Sequence, residues 1–172
     1  MMATTIKQIE SEPESYPILM PPIALNDVAW QRIEGYIAHR FAARAVAWIV
    51  EGPGEWVPPL TPATIATAEV WRAGAWEDIT PDESPLGGYW LIGHGPYRFT
   101  GSVGGGEIPD CVLEAVRRLA AYIGCDPGEP GARSHSVTVK DLSEVTMRAP
   151  SWMAQAMQNS GAADLLRRYR RA

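Results

Sequence analysis

The sequence predicts an α+β protein: a small helical bundle with an inserted antiparallel β-sheet. Three observations carry that expectation. A cappable, periodic segment beginning near Asn26 reads as helix. A stretch of short β-branched and aromatic runs follows over about residues 43–104, cut by glycine and proline. A second and stronger helical pattern then begins at Pro109.

In chain order, residues 1–22 read as a flexible arm. Glu10, Glu12, Pro13, Glu14, Pro17, Pro21 and Pro22 make a polar, proline-broken run, and proline denies a helix its backbone donors. The first helix starts at Asn26 or Asp27, whose side chains can cap free amides. Trp30, Ile33, Ile37 and Phe41 follow at steps of three and four, which predicts one apolar face and an end near Phe41 or Arg44. "AVAWIVEG", "TIATAEVW", "YWLIG" and "YRFTGSV" read as strands, with "EGPGEW" and "RAGAW" as turns between them. Pro58, Pro59, Pro62, Pro81 and Pro85 fall between strands or on edges, where a missing donor is tolerated.

"IPDCVLEAVRRLAAYIG" is the clearest element. Val112, Val116, Leu119 and Ile123 form a stripe widened by Leu113 and Ala120, with Glu114, Arg117 and Arg118 turned away. Gly124 is placed to end it. Residues 126–136 have loop composition, and "SVTVKDLSEVTMRAP" begins strand-like and becomes irregular. Pro150 and Ser151 open a short helix, "SWMAQAMQ", and Gly161 separates it from a last helix over 162–171. The expected organisation is an arm (1–22), one domain (23–160) and a C-terminal docking helix (161–172).

The totals narrow the function. With 172 residues, 46% hydrophobic and 20% charged, the chain is globular. A net charge of −5 argues against coating nucleic acid. The charge is polarised, however. Glu51, Glu55, Glu69, Glu77, Asp78, Asp82 and Glu83 face Arg72 alone in residues 51–90, whereas Arg167, Arg168, Arg170 and Arg171 crowd the C-terminus beside Asp164. Such polarity suits head-to-tail contact or docking on a charged partner. Cys111 and Cys125 bracket the second helix and would lie roughly 21 Å apart along it, too far for a disulfide. No leader-like or membrane-spanning segment is evident, and a soluble protein made in the cytoplasm is expected.

No catalytic, cofactor or metal constellation emerges. His39, His94 and His135 are far apart in sequence and lack cysteine neighbours. "GSVGGGEIPD" lacks the Lys-Ser/Thr pair of a phosphate loop and the spacing of a dinucleotide fingerprint, and reads as a connection. No G-x-S-x-G elbow occurs. Glu77, Asp78, Asp82 and Glu83 read as a solvated acidic turn. Trp48, Trp56, Trp71, Trp76 and Trp90 crowd the sheet region; core and subunit-interface packing explains them better than a base-stacking platform, which would bring basic neighbours.

The order of these parts resembles the head–tail connector (adaptor) proteins of long-tailed bacteriophages and phage-derived gene transfer agents. The resemblance spans about residues 22–172. It rests on "RFAARAVAW", "YWLIGHGPYRFTGSVG", the P-x-x-[VL]-x-x-A-[VI] pattern of "IPDCVLEAVRRLAAYI", and the ending "SGAADLLRRYR". It implies an adaptor-like fold without catalysis or cofactor. It also implies a homo-oligomeric ring of about twelve copies under the portal protein, which passes DNA without sequence-specific binding and offers a platform to a tail-side stopper protein. The protein would then reside in the virion neck. On this resemblance Leu165, Leu166 and Tyr169 would anchor in an apolar groove of the portal or a neighbouring subunit, with Arg167, Arg168, Arg170 and Arg171 pairing with acids around it. The alternative is a tryptophan-rich module that binds carbohydrate or another ligand.

Overall fold

A computed structural model describes residues 2–125, 134–139, 142–147 and 153–170. The chain divides into two compact units, one formed by residues 1–17 and 37–107 and the other by residues 18–36 and 108–172. The two units thus interleave along the sequence, the β-rich one taking a stretch before the first helix and a longer one after it. Both antiparallel sheets and helices are present, as the α+β expectation required.

The β unit contains β1 (Thr4–Glu10), β2 (Arg44–Glu51), β3 (Gly54–Trp56), β4 (Ala63–Arg72), β5 (Ala75–Asp78), β6 (Asp82–Ser84), β7 (Gly88–Leu91) and β8 (Tyr97–Val103). Five strands pair antiparallel in the order β1-β2-β8-β4-β5, and three in the order β3-β7-β6. Alternation sets the faces. Val46, Trp48 and Val50 of β2 point inward, as do Tyr97, Phe99 and Val103 of β8, and all six are buried. Trp56 of β3 joins them, its ring 4.3 Å from Phe99 in a stacked arrangement and 5.6 Å from Trp48 edge-on. Gly88 lets β7 run close beside β3, since a Cβ there would lie 2.1 Å from the Trp56 carbonyl oxygen.

β1 corrects the expectation of a mobile arm. Its residues pair with β2 from Thr4↔Glu51 to Glu10↔Val46. Two buried indoles need acceptors, and β1 supplies them: Trp48 Nε1 donates to Gln8 Oε1 and Trp56 Nε1 donates to Thr5 Oγ1, both at 2.9 Å. Beyond the strand, Ser11 exchanges hydrogen bonds with Ala45, Tyr16 lies under the Arg44 guanidinium, and Leu19 is buried. Local composition favoured disorder, and these long-range partners outweigh it.

The helical unit contains α1 (Asn26–Tyr36), α2 (Asp110–Gly124), an antiparallel pair of β9 (Ser134–Val139) and β10 (Leu142–Met147), α3 (Ala156–Asn159) and α4 (Ala162–Leu165), followed by a 3₁₀ turn at Arg167–Tyr169. α1 stops earlier than its periodicity suggested. The next residues leave the helix because Arg40 N–H donates to the Thr61 carbonyl and Thr61 N–H to the Ala38 carbonyl. α2 matches its pattern: Val112, Ala115, Val116, Leu119 and Ala120 are buried. Glu114 accepts from Arg117 and Arg118 on the outer face, at 2.8 and 2.7 Å. The later part of "SVTVKDLSEVTMRAP", expected to become irregular, holds β10, which pairs in register with β9 from Leu142↔Val139 to Met147↔Ser134. The start of the "SWMAQAMQ" helix and the rest of the Gly/Pro loop lie outside the described residues. Among the described residues, no helix is long and apolar enough to cross a membrane.

Candidate docking site

The C-terminal segment is set off from α3 at Gly161. After α3 this glycine takes a left-handed conformation, φ 75°, which costs a side-chain-bearing residue about 1–2 kcal/mol. Ser160 Oγ accepts from the Ala162 amide and steadies the start of α4. The expected helix over 162–171 is shorter than its composition suggested. It runs for one turn as α4, then tightens at Arg167–Tyr169, where Tyr169 N–H donates to the Leu166 carbonyl at 2.9 Å.

The segment's apolar residues pack on their own unit. Ala162 and Leu166 are fully buried, as is Ala156 of α3, and Met157 of α3 is nearly so. Leu165 and Tyr169 are half-buried. Leu166, expected as an anchor, is enclosed by the helical unit of its own chain. Tyr169 is held between roles. Burial, and then the nearby Cys111, push its hydroxyl above the ordinary tyrosine pKa, and Arg168 opposes them in part.

The arginines remain on the surface. Arg167, Arg168 and Arg170 are exposed, and Arg171 lies outside the described residues. Arg167 pairs with Asp164 at 2.8 Å, both side chains largely in solvent, so the pair holds little energy and can open for a partner. Arg168 lies 4.7 Å from the centre of the Tyr169 ring, and Arg170 lies 4.7 Å from that of Tyr36. Each guanidinium is thereby oriented without a carboxylate of its own in the described contacts. The segment thus presents planar cations on a buried aliphatic foot.

The acidic stretch of the β unit is partly spent internally. Glu69 accepts from Arg98 Nε at 2.5 Å and Nη2 at 2.6 Å, and those bonds hold its carboxyl below the ordinary range. Arg98 also lies 4.5 Å from the Trp76 ring centre. Glu77 approaches Arg72 at 3.9 Å. The tryptophans divide: Trp48 and Trp56 are core, whereas Trp71 and Trp90 are 40% and 50% exposed. Composition could not separate them, because the inward or outward choice depends on strand register. Among the described residues, no three of His, Cys, Asp or Glu gather as a metal site. His39 Nδ1 lies 3.3 Å from Thr61 Oγ1, and the His94 carbonyl accepts from Gly52 N–H.

No family model matches the chain. Over 103 residues it is 33% identical to the probable inorganic carbon transporter subunit DabA of Methylobacterium sp. (strain 4-46). That stretch covers 60% of this chain and 11% of the transporter subunit, so the chain spans only a small part of that relative's length.

Proposed function

We propose that the chain is a non-catalytic head–tail connector (adaptor) of a phage or gene transfer agent particle. In this reading, copies form a ring of about twelve below the portal protein. The ring continues the DNA channel and receives a tail-side stopper protein. One observation carries the reading beyond the sequence resemblance. The β unit interrupts the helical unit between residues 36 and 108, and the arginine-bearing C-terminus folds onto that helical unit. A β stretch between two helical stretches and a basic terminal segment support the reading, while residues 1–17 add to the β unit a strand that the resemblance does not imply.

In this role the segment docks through charge and planarity rather than through Leu166. Arg167, Arg168 and Arg170 meet acids of the portal or of a neighbouring copy, while Leu165 and Tyr169 contribute the exposed parts of their side chains. The likeness to one stretch of DabA supports a second reading, a module shared by two otherwise different proteins.

The test uses the portal ring as bait. The full chain and a version ending at Ser160 are each sedimented with it. A ring-stoichiometric complex formed by the full chain supports the connector, and its loss on truncation assigns docking to the C-terminal segment. A folded chain that never co-migrates with a folded portal overturns the connector and leaves the shared module.

A further inference from the structure

One row of the three-stranded sheet sets an aromatic ring between two carboxylates. β7 is the central strand, and its Trp90 is opposite Glu55 of β3 and Asp82 of β6. Residues directly opposed on antiparallel strands share a face, with Cβ atoms about 5 Å apart. The row therefore reads Glu55–Trp90–Asp82 across the outside of the sheet. Trp90 is 50% exposed, and Ile92, which lines the same hollows as Trp90, is 76% exposed.

Two hollows of the β unit flank the indole. One, of about 180 Å³, is lined by Thr80, Asp82, Tyr97 and Arg72, whose guanidinium approaches Glu77. The other, of about 280 Å³, is lined by Pro53, Gly54 and Gly93. Among the described residues, neither Glu55 nor Asp82 has an ion-pair partner. An indole face attracts cations through its quadrupole, and a carboxylate on either side adds charge and hydrogen-bond acceptors. A planar guanidinium satisfies both, because it stacks on the ring and donates in its own plane.

The matching chemistry is on the same chain. Arg167, Arg168 and Arg170 stand exposed within four residues of one another, on the helical unit. Both surfaces are open in a single chain, and their charges are opposite. We infer that the Glu55–Trp90–Asp82 row of one copy receives the arginine-rich C-terminal segment of a second copy. The two surfaces differ, so the contact is heterologous and repeats head to tail. It deepens the connector reading and rests on it for closure into a ring; the pairwise contact itself needs only two copies.

The test is sedimentation equilibrium of the full chain over a range of concentrations and salt. Wild type is expected to self-associate, and less so in high salt. An acceptor variant (Glu55→Gln with Asp82→Asn) and a donor variant (Arg167→Ala, Arg168→Ala, Arg170→Ala) should each weaken association by about tenfold or more. Mixed together, these two variants should form a 1:1 dimer and nothing longer, since each keeps one working surface. Trp90→Ala should behave as the acceptor variant; if it fails to fold, the two surface carboxylate changes still decide.

Wild type that stays monomeric at about 1 mM overturns the inference, as does association insensitive to both variants. Saturable quenching of tryptophan fluorescence by maltotriose, lost in Trp90→Ala, with association unchanged in the acceptor variant, would make the row a sugar site instead. Portal co-sedimentation is scored separately. Self-association without portal binding keeps the contact and removes the connector. Portal binding by a wild type that shows no association sensitive to these variants does the reverse.

Discussion

The Arg40 guanidinium grips the Glu10 carboxylate twice, through Nε at 2.7 Å and Nη2 at 3.1 Å. Its third donor, Nη1, reaches the Ile37 carbonyl at 3.1 Å. One side chain thereby ties β1 to the segment that follows α1, two stretches separated by 30 residues in sequence. Burial opposes the charged form of Glu10, and the bonds and charge of Arg40 outweigh it, so the carboxyl titrates below its ordinary range.

That shift fixes a pH dependence. A carboxyl held lower in the folded state contributes stability that is fully present above its unfolded pKa, about 4.3. The contribution is lost as pH falls through the folded value. Glu69 and Glu114 are lowered in the same sense by their arginines. Glu10→Gln should therefore flatten part of the acid limb of stability against pH, measured by urea denaturation, and leave its slope near neutrality unchanged. An unaltered acid limb would show that the pair does not form.

Removing residues 2–11 should destabilise the β unit. The deletion strips Trp48 and Trp56 of their indole acceptors and leaves Arg40 without Glu10. Each unsatisfied buried group costs about 1–3 kcal/mol. A mobile arm would leave the melting temperature where it was, so calorimetry of the full and shortened chains separates the two.

Leu166→Ala should cost about 2–5 kcal/mol, the usual range for truncating a buried leucine. Replacing Arg167, Arg168 and Arg170 with alanine together should cost about 1–2 kcal/mol, from the lost stacking on Tyr169 and Tyr36. Chemical denaturation of both variants checks the division between an internal foot and exposed cations. Equal losses would contradict it.

Gly161→Ala should destabilise by about 1–2 kcal/mol, because alanine is strained at φ 75° while its added carbon meets only ordinary contact, 3.5 Å from Arg118 Nη1. Gly161→Asn should recover part of the loss, since asparagine tolerates the left-handed region better. A stability for Gly161→Ala equal to that of wild type would mean that residue 161 does not hold the left-handed conformation.

Local pattern alone determined the elements whose reasons are local. The 3.6-residue stripe of Val112, Val116 and Leu119 set α2 and its buried face. Alternation in "YRFTGSV" set β8, β-branched and aromatic content marked β2, and glycine at 161 marked the break before the last helix. From α1 onward the order of helix, strands, helix and basic terminus was legible for the same reason, as was the surface placement of Arg167, Arg168 and Arg170. Tertiary structure decided whatever depends on a distant partner. Residues 4–10 became a strand because two buried indoles and Arg40 needed acceptors. α1 ended at Tyr36 because Thr61 captured the backbone beyond it. Leu166 was claimed by its own unit's core, whereas Trp90, the same residue type as the buried Trp56, was turned outward between Glu55 and Asp82 by strand register. A one-residue slip inverts every side chain of a strand, so composition names the aromatic residues and only pairing decides which of them meet solvent.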